Sequence, residues 1–187
     1  MDEWSTKYAR IEREWRFLLA ELPDHQAVLR VRRVIDRYFP GTALRLRRLE
    51  ETVDGEERLE YELTQKLGPG EPGPPRPLIT NLYLSQAAYD LLARLPGDDL
   101  SKTRYSVAPL AIGGIDVFDV FEPPLDGLVL AESEFETDEA MAAFRPPEFV
   151  LAEVTNEPRF SGAHLARTGR AVLRAVLAEF GIRIDLP

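Results

Sequence analysis

No cysteine occurs among the 187 residues, and only two histidines do. The first absence excludes disulfides and thiolate metal sites, and the scarcity of histidine leaves oxygen as the ready donor for any metal. No apolar run is long enough to cross a bilayer. The first ten residues carry Asp2, Glu3, Lys7 and Arg10 and lack the apolar centre of a signal peptide. Neither a P-loop nor a dinucleotide fingerprint is present, and the glycines cluster in turns. Repeats at solenoid periods are absent too. Positive charge is in deficit, with a formal net charge of -9, which argues against a protein that coats nucleic acid. The expectation is a cytoplasmic protein, monomer or homodimer, that engages neither nucleic acid nor membrane.

What is present is a globular composition, 44% apolar and 29% charged, consistent with one domain over residues 1–187. The charge is sorted along the chain. Residues 28–48 hold Arg30, Arg32, Arg33, Arg37, Arg45, Arg47 and Arg48, with Asp36 as the only acid. Residues 112–157 hold a long series of acids and one base, Arg145. An acidic protein that binds a polyanion needs local cation clusters and a divalent metal to offset its own field.

Most segments alternate with period two, the mark of strands. In 11–17, Ile11, Trp15 and Phe17 oppose Glu12, Glu14 and Arg16, so three charges share one face about 7 Å apart. An exposed strand gives the same pattern; matching charge on other strands is what turns such a face into an interior. Further strands are predicted at 31–39, 42–49, 59–67, 78–84, 100–107, 115–121, 128–136 and 149–155, with hairpin signals at Pro40-Gly41 and around Asp54-Gly55. The proline-rich stretch 68–77 reads as a long loop rather than a linker. Ser85 and Thr137 can cap short helices, the first with an apolar face of Ala88, Leu91, Leu92 and Leu95. One longer helix is predicted from cap Ser161 to stop Gly181, with Arg167, Arg170 and Arg174 on a solvated side. Many strands, few helices and no βαβ rhythm predict a mainly β (α+β) protein, an antiparallel barrel or strongly curved sheet.

Several strands bear like charges two apart. Glu12 and Glu14 are matched by Glu132 and Glu134, Arg45 and Arg47 by Lys102 and Arg104, and Lys66 ends its strand. In a closed barrel these faces converge on the lumen. Carboxylates there can hold Mg²⁺ or Mn²⁺, and arginines and lysines can hold phosphate oxygens. That is the equipment for cleaving a phosphoanhydride. His25 and His164 lack partners at telling spacing, and Trp4 and Trp15 read as packing residues.

The segments IEREWRFLL, LRLR, LTQK, KTRY, FDVF, GLVLAESEFE and AEVTNEPRF occur in the order found in the CYTH family, the triphosphate tunnel metalloenzymes. The resemblance covers about residues 8–166. It implies an eight-stranded antiparallel closed β-barrel, a tunnel with a few flanking helices including a C-terminal one, which binds a triphosphate and Mg or Mn. By position, Glu12, Glu14, Glu132 and Glu134 correspond to metal-binding glutamates, with Asp119 a further candidate. Arg45, Arg47, Lys66, Lys102 and Arg104 correspond to phosphate-binding cations, and Arg159 falls in the motif after EVT. Tyr38 stands where many members have tyrosine, and with Glu12, Glu14 and Arg16 it completes the candidate catalytic set. Two departures stand out: Arg16 replaces the signature lysine, and Ile79-Thr80-Asn81 replaces an acidic pair. The expected function is metal-dependent hydrolysis of an inorganic or organic triphosphate. The alternatives are an adenylyl cyclase of the family's type and a non-catalytic binder of polyphosphate or nucleotide.

Overall fold

The computed structural model describes residues 8–24, 28–68 and 77–184. The readings of Trp4, of His25 and of the loop over 69–76 lie outside these residues. Among these residues ten strands occur: β1 (Arg10–Ile11), β2 (Glu14–Leu19), β3 (Val28–Tyr38), β4 (Leu44–Val53), β5 (Glu56–Leu67), β6 (Leu78–Tyr83), β7 (Asp98–Val107), β8 (Val117–Phe121), β9 (Val129–Glu134) and β10 (Ala152–Glu153). Four α-helices accompany them: α1 (Gln86–Leu92), α2 (Asp138–Ala143), α3 (Gly162–Leu165) and α4 (Arg170–Glu179).

All ten strands form one antiparallel sheet in the order β1-β6-β5-β4-β3-β7-β8-β9-β2-β10. Its ends meet because β1 and β2 are successive pieces of one segment. Arg10 and Ile11 pair with Ile79 and Leu78, and the Glu12 N–H donates to the Pro77 carbonyl at 3.0 Å. Counted as one bent strand, β1 and β2 complete an eight-membered ring. The closing seam is narrow, however: past Glu12 the free edge of β2 turns to β10 instead of β6, through Leu18 opposite Ala152 and Phe17 opposite Glu153. The ring therefore curls into a tunnel without a continuous ladder at the seam.

The turns follow local chemistry. Asp54 and Gly55 both take positive φ, 54° and 82°, the pair that a two-residue hairpin with the native strand twist requires. The outward residues Phe17, Leu19 and Phe118 form a core with Val107, Ile115 and Ala131. The segment around α2 covers it: the Phe17 and Phe144 rings stack at 5.8 Å, and Trp15 Nε1 donates to the Met141 carbonyl. The inward residues Leu18, Leu100, Phe121 and Leu130 meet Phe160, Leu165, Leu173 and Leu177 in a second core. That core blocks one end of the tunnel. Each such buried side chain contributes about 1.5–3 kcal/mol, which makes the plug a fixed part of the fold.

Three predicted elements differ. The C-terminal helix is two pieces, α3 and α4, broken where Thr168 turns its hydroxyl back to the His164 carbonyl and Gly169 takes extended backbone. The strand predicted at 149–155 shrinks to β10: Ala152 and Glu153 alone are paired with β2, flanked by the Leu151 and Val154 N–H groups, which donate to the Leu18 and Arg16 carbonyls. The apolar face assigned to α1 is largely outside: Leu91 is 64% and Leu95 49% exposed, and the helix packs through Tyr89 on Tyr61, with ring centroids 4.7 Å apart. Arg170, expected to be solvated, pairs with Asp126.

Candidate active site

The register of the strands assembles the site. On β2 and β9, Glu14 lies opposite Glu134, Arg16 opposite Glu132 and Leu18 opposite Leu130. On β7 and β8, Arg104 faces Asp119 and Lys102 faces Phe121. On β3 and β4, Asp36 faces Arg47 and Tyr38 faces Arg45. On β5, Glu62 faces Arg47 and Thr64 faces Arg45, with Lys66 two residues further along. Because strand side chains alternate, these residues share one face, and curling turns that face inward. All of them but Leu18, Asp36 and Thr64 line a blind cavity of about 210 Å³, polar near Glu12, Glu14 and Lys66 and apolar at the plug.

The charges form a chain of alternating sign. Lys66 Nζ lies 2.5 Å from Glu12 and 3.2 Å from Glu14. Arg16 donates to Glu14 at 2.8 Å and to Glu132 at 3.3 Å. Arg104 donates to Glu132 at 2.7 Å and to both oxygens of Asp119, and Lys102 closes on Asp119 at 2.5 Å. Beside this chain, Arg47 grips Asp36 in a fork at 2.6 and 2.8 Å, and Arg45 donates to Thr64 at 3.1 Å. The Nε of Arg45 is buried with no hydrogen-bond partner, 3.6 Å from Asp36. An unmet buried donor costs about 1–3 kcal/mol, which an anion in the cavity would recover.

Burial and neighbours set the ionisation. Burial works against the charge of Glu132, yet Arg104 and Arg16 hold its pKa well below the usual carboxylate range. Asp36 is likewise buried, and Arg47 with Arg45 brings its pKa down. Burial and the Glu132 charge push Glu14 up against the opposing pull of Arg16 and Lys66. Burial outweighs Asp119 at Lys102, whose pKa falls. The Tyr38 hydroxyl is raised by burial and by Asp36, so it stays protonated and available as a donor at the cavity floor.

The donor chemistry suits a hard divalent cation. Glu12, Glu14 and Glu132 offer only oxygens, and both Glu132 and Glu12 bear on the ionisation of Glu14. Yet among the described residues no group of three or more acids or histidines is arranged to hold a metal ion; the carboxylates are engaged instead by Lys66, Arg16 and Arg104. Glu134 sits further out, 59% exposed along its side chain and 3.9 Å from Arg10.

Of the residues predicted from sequence, Glu12, Glu14, Arg16, Tyr38, Arg45, Arg47, Lys66, Lys102, Arg104, Asp119, Glu132 and Glu134 all reach this cavity. Arg159 does not. It sits outside the cavity lining, where Glu157 and Glu179 take its guanidinium. The sequence reading missed Asp36, Arg10 and Glu62. Asp36 has the same strand parity as Tyr38, a signal hidden by its place in a basic run. His164 is exposed, and Trp15 packs as expected. Ile79 and Asn81 face the cavity and carry no charge.

No protein-family model matches the chain. A 70-residue stretch, 37% of the chain, is 40% identical to an inorganic triphosphatase from Nitrosomonas europaea and spans 46% of that protein's length. Two solved structures are similar over 84% of the chain. One is described as a hypothetical protein NE1496, with 28% identity, 99% of its chain covered and a TM-score of 0.55. The other is described as the inorganic triphosphatase NE1496, with 26% identity, 95% covered and a TM-score of 0.54.

Proposed function

We propose that this chain is a tunnel protein of the CYTH family and that it hydrolyses a triphosphate with the help of Mg²⁺ or Mn²⁺, inorganic triphosphate being its simplest substrate. The observation that carries the reading is the blind, charge-lined cavity. At about 210 Å³ it falls below the roughly 300–1,000 Å³ of pockets that enclose larger organic ligands. A phosphate chain suits it better than a whole nucleotide. The relatives described above as inorganic triphosphatase point to the same chemistry.

The roles follow from position. Arg45, Arg47, Lys102, Arg104 and Lys66 would neutralise the phosphate oxygens, with the arginines able to bind in a fork. Glu12, Glu14, Glu132 and Glu134 would hold the divalent ion, with Asp119 anchoring Lys102 and Arg104 behind them. Such an ion supplies polarisation of phosphoryl oxygens and a water of lowered pKa. In the reaction, a water oxygen bonds to the terminal phosphorus, the bridging P–O bond breaks, and orthophosphate and pyrophosphate leave. The cations fixed by the strands meet the developing negative charge without rearrangement of the backbone. Seven cationic side chains line the cavity against six carboxylates, so a triphosphate entering alone would leave negative charge unmatched. A divalent ion entering with it offsets two of those charges.

One observation favours a second reading. Ile79 and Asn81 occupy the β6 face where an acidic pair would strengthen metal binding, which suits a non-catalytic triphosphate binder. Calorimetric titration with inorganic triphosphate, run beside a phosphate-release assay with Mg²⁺ or Mn²⁺, separates the two. Hydrolysis predicts release that stops when the metal is chelated; binding without release supports the binder. In the same assay Glu12→Gln should lose about 100-fold or more of the turnover while the melting temperature barely moves, because among the described residues Glu12 pairs only with the partly exposed Lys66. Unchanged turnover removes Glu12 from the site.

A further inference from the structure

The acids of the cavity are bridged, not open. Arg16 is the link between the Glu14 and Glu132 carboxylates, joining β2 to β9 inside the tunnel. Its third contact is the Phe160 carbonyl at 3.5 Å, on the plug. On either side, Lys66 spans Glu12 and Glu14, and Arg104 spans Asp119 and Glu132. The Arg16 side chain is only 14% exposed, as is that of Glu14. Resting on the reading that this cavity takes a triphosphate with a divalent ion, we propose that Arg16 is a resident counter-cation that closes the Glu14–Glu132 pair to metal until a triphosphate draws its guanidinium away, so that metal and triphosphate load together.

The residue type matters. An arginine fork reaches two carboxylates at once, which a single ammonium does less well. Arginine also stays charged at any accessible pH, so it cannot vacate the acids by losing a proton. The guanidinium has to move, and phosphate oxygens offer it an equivalent charge-assisted fork. Its backbone register, opposite Glu132 and two residues from Glu14, keeps both acids within its reach whenever no other anion is present. A ligand's apparent affinity falls by the fraction of molecules whose site is open. With the acids bridged in nearly every molecule, metal alone binds weakly. Once triphosphate supplies a second partner for Arg16, the same carboxylates become available.

Equilibrium dialysis of the full chain against Mn²⁺, alone and with a methylene-bridged, non-hydrolysable triphosphate analogue, tests this without relying on turnover. Alone, wild type should hold Mn²⁺ about tenfold or more weakly than Arg16→Met, with Arg16→Lys between them. Adding the analogue should tighten Mn²⁺ binding to wild type by a similar factor and to Arg16→Met by much less. Arg159→Met, changed at the surface, should behave as wild type. Wild type binding Mn²⁺ alone as tightly as Arg16→Met overturns the inference. Circular dichroism checks each fold; should Arg16→Met not fold, Arg16→Lys, which keeps the charge, carries the same comparison. If the analogue binds by calorimetry but Mn²⁺ binds no variant in either condition, the divalent-metal reading of the cavity fails, an outcome distinct from a metal site already open in wild type.

Discussion

Asp36 shows how one residue can organise a cation cluster. Its side chain is 1% exposed, and it holds the Arg47 fork while standing beside Arg45. Removing one partner of a buried ion pair costs about 3–5 kcal/mol, so Asp36→Asn should lower stability by that order in chemical denaturation. The pH dependence has a definite sign. The folded pKa of Asp36 is depressed, so the unfolded chain binds the proton more readily and the contribution is complete above the unfolded pKa of about 3.9. It is lost as pH falls through the lower folded value. The stability gap between wild type and Asp36→Asn should therefore be constant at neutral pH and shrink below about pH 4. A gap that widens on acidification contradicts the ion pair. Nearby, a Cβ on Gly162 would fall 1.9 Å from the Tyr38 hydroxyl oxygen. Gly162→Ala should thus cost about 1–3 kcal/mol through forced repacking, and Tyr38→Phe in the same chain should recover part of it.

Among the elements, the plug decides whether the tunnel has a floor. Leu177 on α4 and Phe160 before α3 are 0% and 1% exposed and pack against Leu100, Leu130 and Phe121 from the strands. Leu177→Ala should cost about 2–5 kcal/mol by urea denaturation. Values under 1 kcal/mol would mean that the C-terminal helices are not docked. The strands themselves were legible in the sequence, because a strand with one charged and one apolar face keeps period two however it curls. Glu12, Glu14 and Arg16 declared their shared face for that reason, and so did Arg45 with Arg47 and Lys102 with Arg104. Asp36 was hidden because a basic run draws attention to net charge rather than to parity. Arg159 misled because its motif placed it near the tunnel, whereas Glu157 and Glu179 hold it outside. The helix break at Thr168-Gly169 and the exposed face of α1 depend on tertiary contacts that no local periodicity records.

At the level of the whole molecule, the fold keeps cations inside a protein whose net charge is -9. Among the described residues no helix is long and apolar enough to cross a membrane. The sheet closes through two rungs at Arg10 and Ile11, a feature set by long-range pairing and beyond the reach of local pattern. A ligand that bridges the cation-bearing and acid-bearing strands across that seam should stabilise the entire ring. Inorganic triphosphate with Mg²⁺ at about 100 times its dissociation constant should add about 2.7 kcal/mol and raise the melting temperature. An unmoved transition would indicate a charged cavity without an occupant.

The most direct measurement is product-resolved turnover. The chain is incubated with inorganic triphosphate, ATP, thiamine triphosphate or long polyphosphate, each with Mg²⁺ or Mn²⁺. One orthophosphate and one pyrophosphate for each inorganic triphosphate consumed, abolished by chelation and by Glu12→Gln, is the predicted result. Tight binding of triphosphate with no release, or cyclic AMP from ATP in place of orthophosphate, would contradict it.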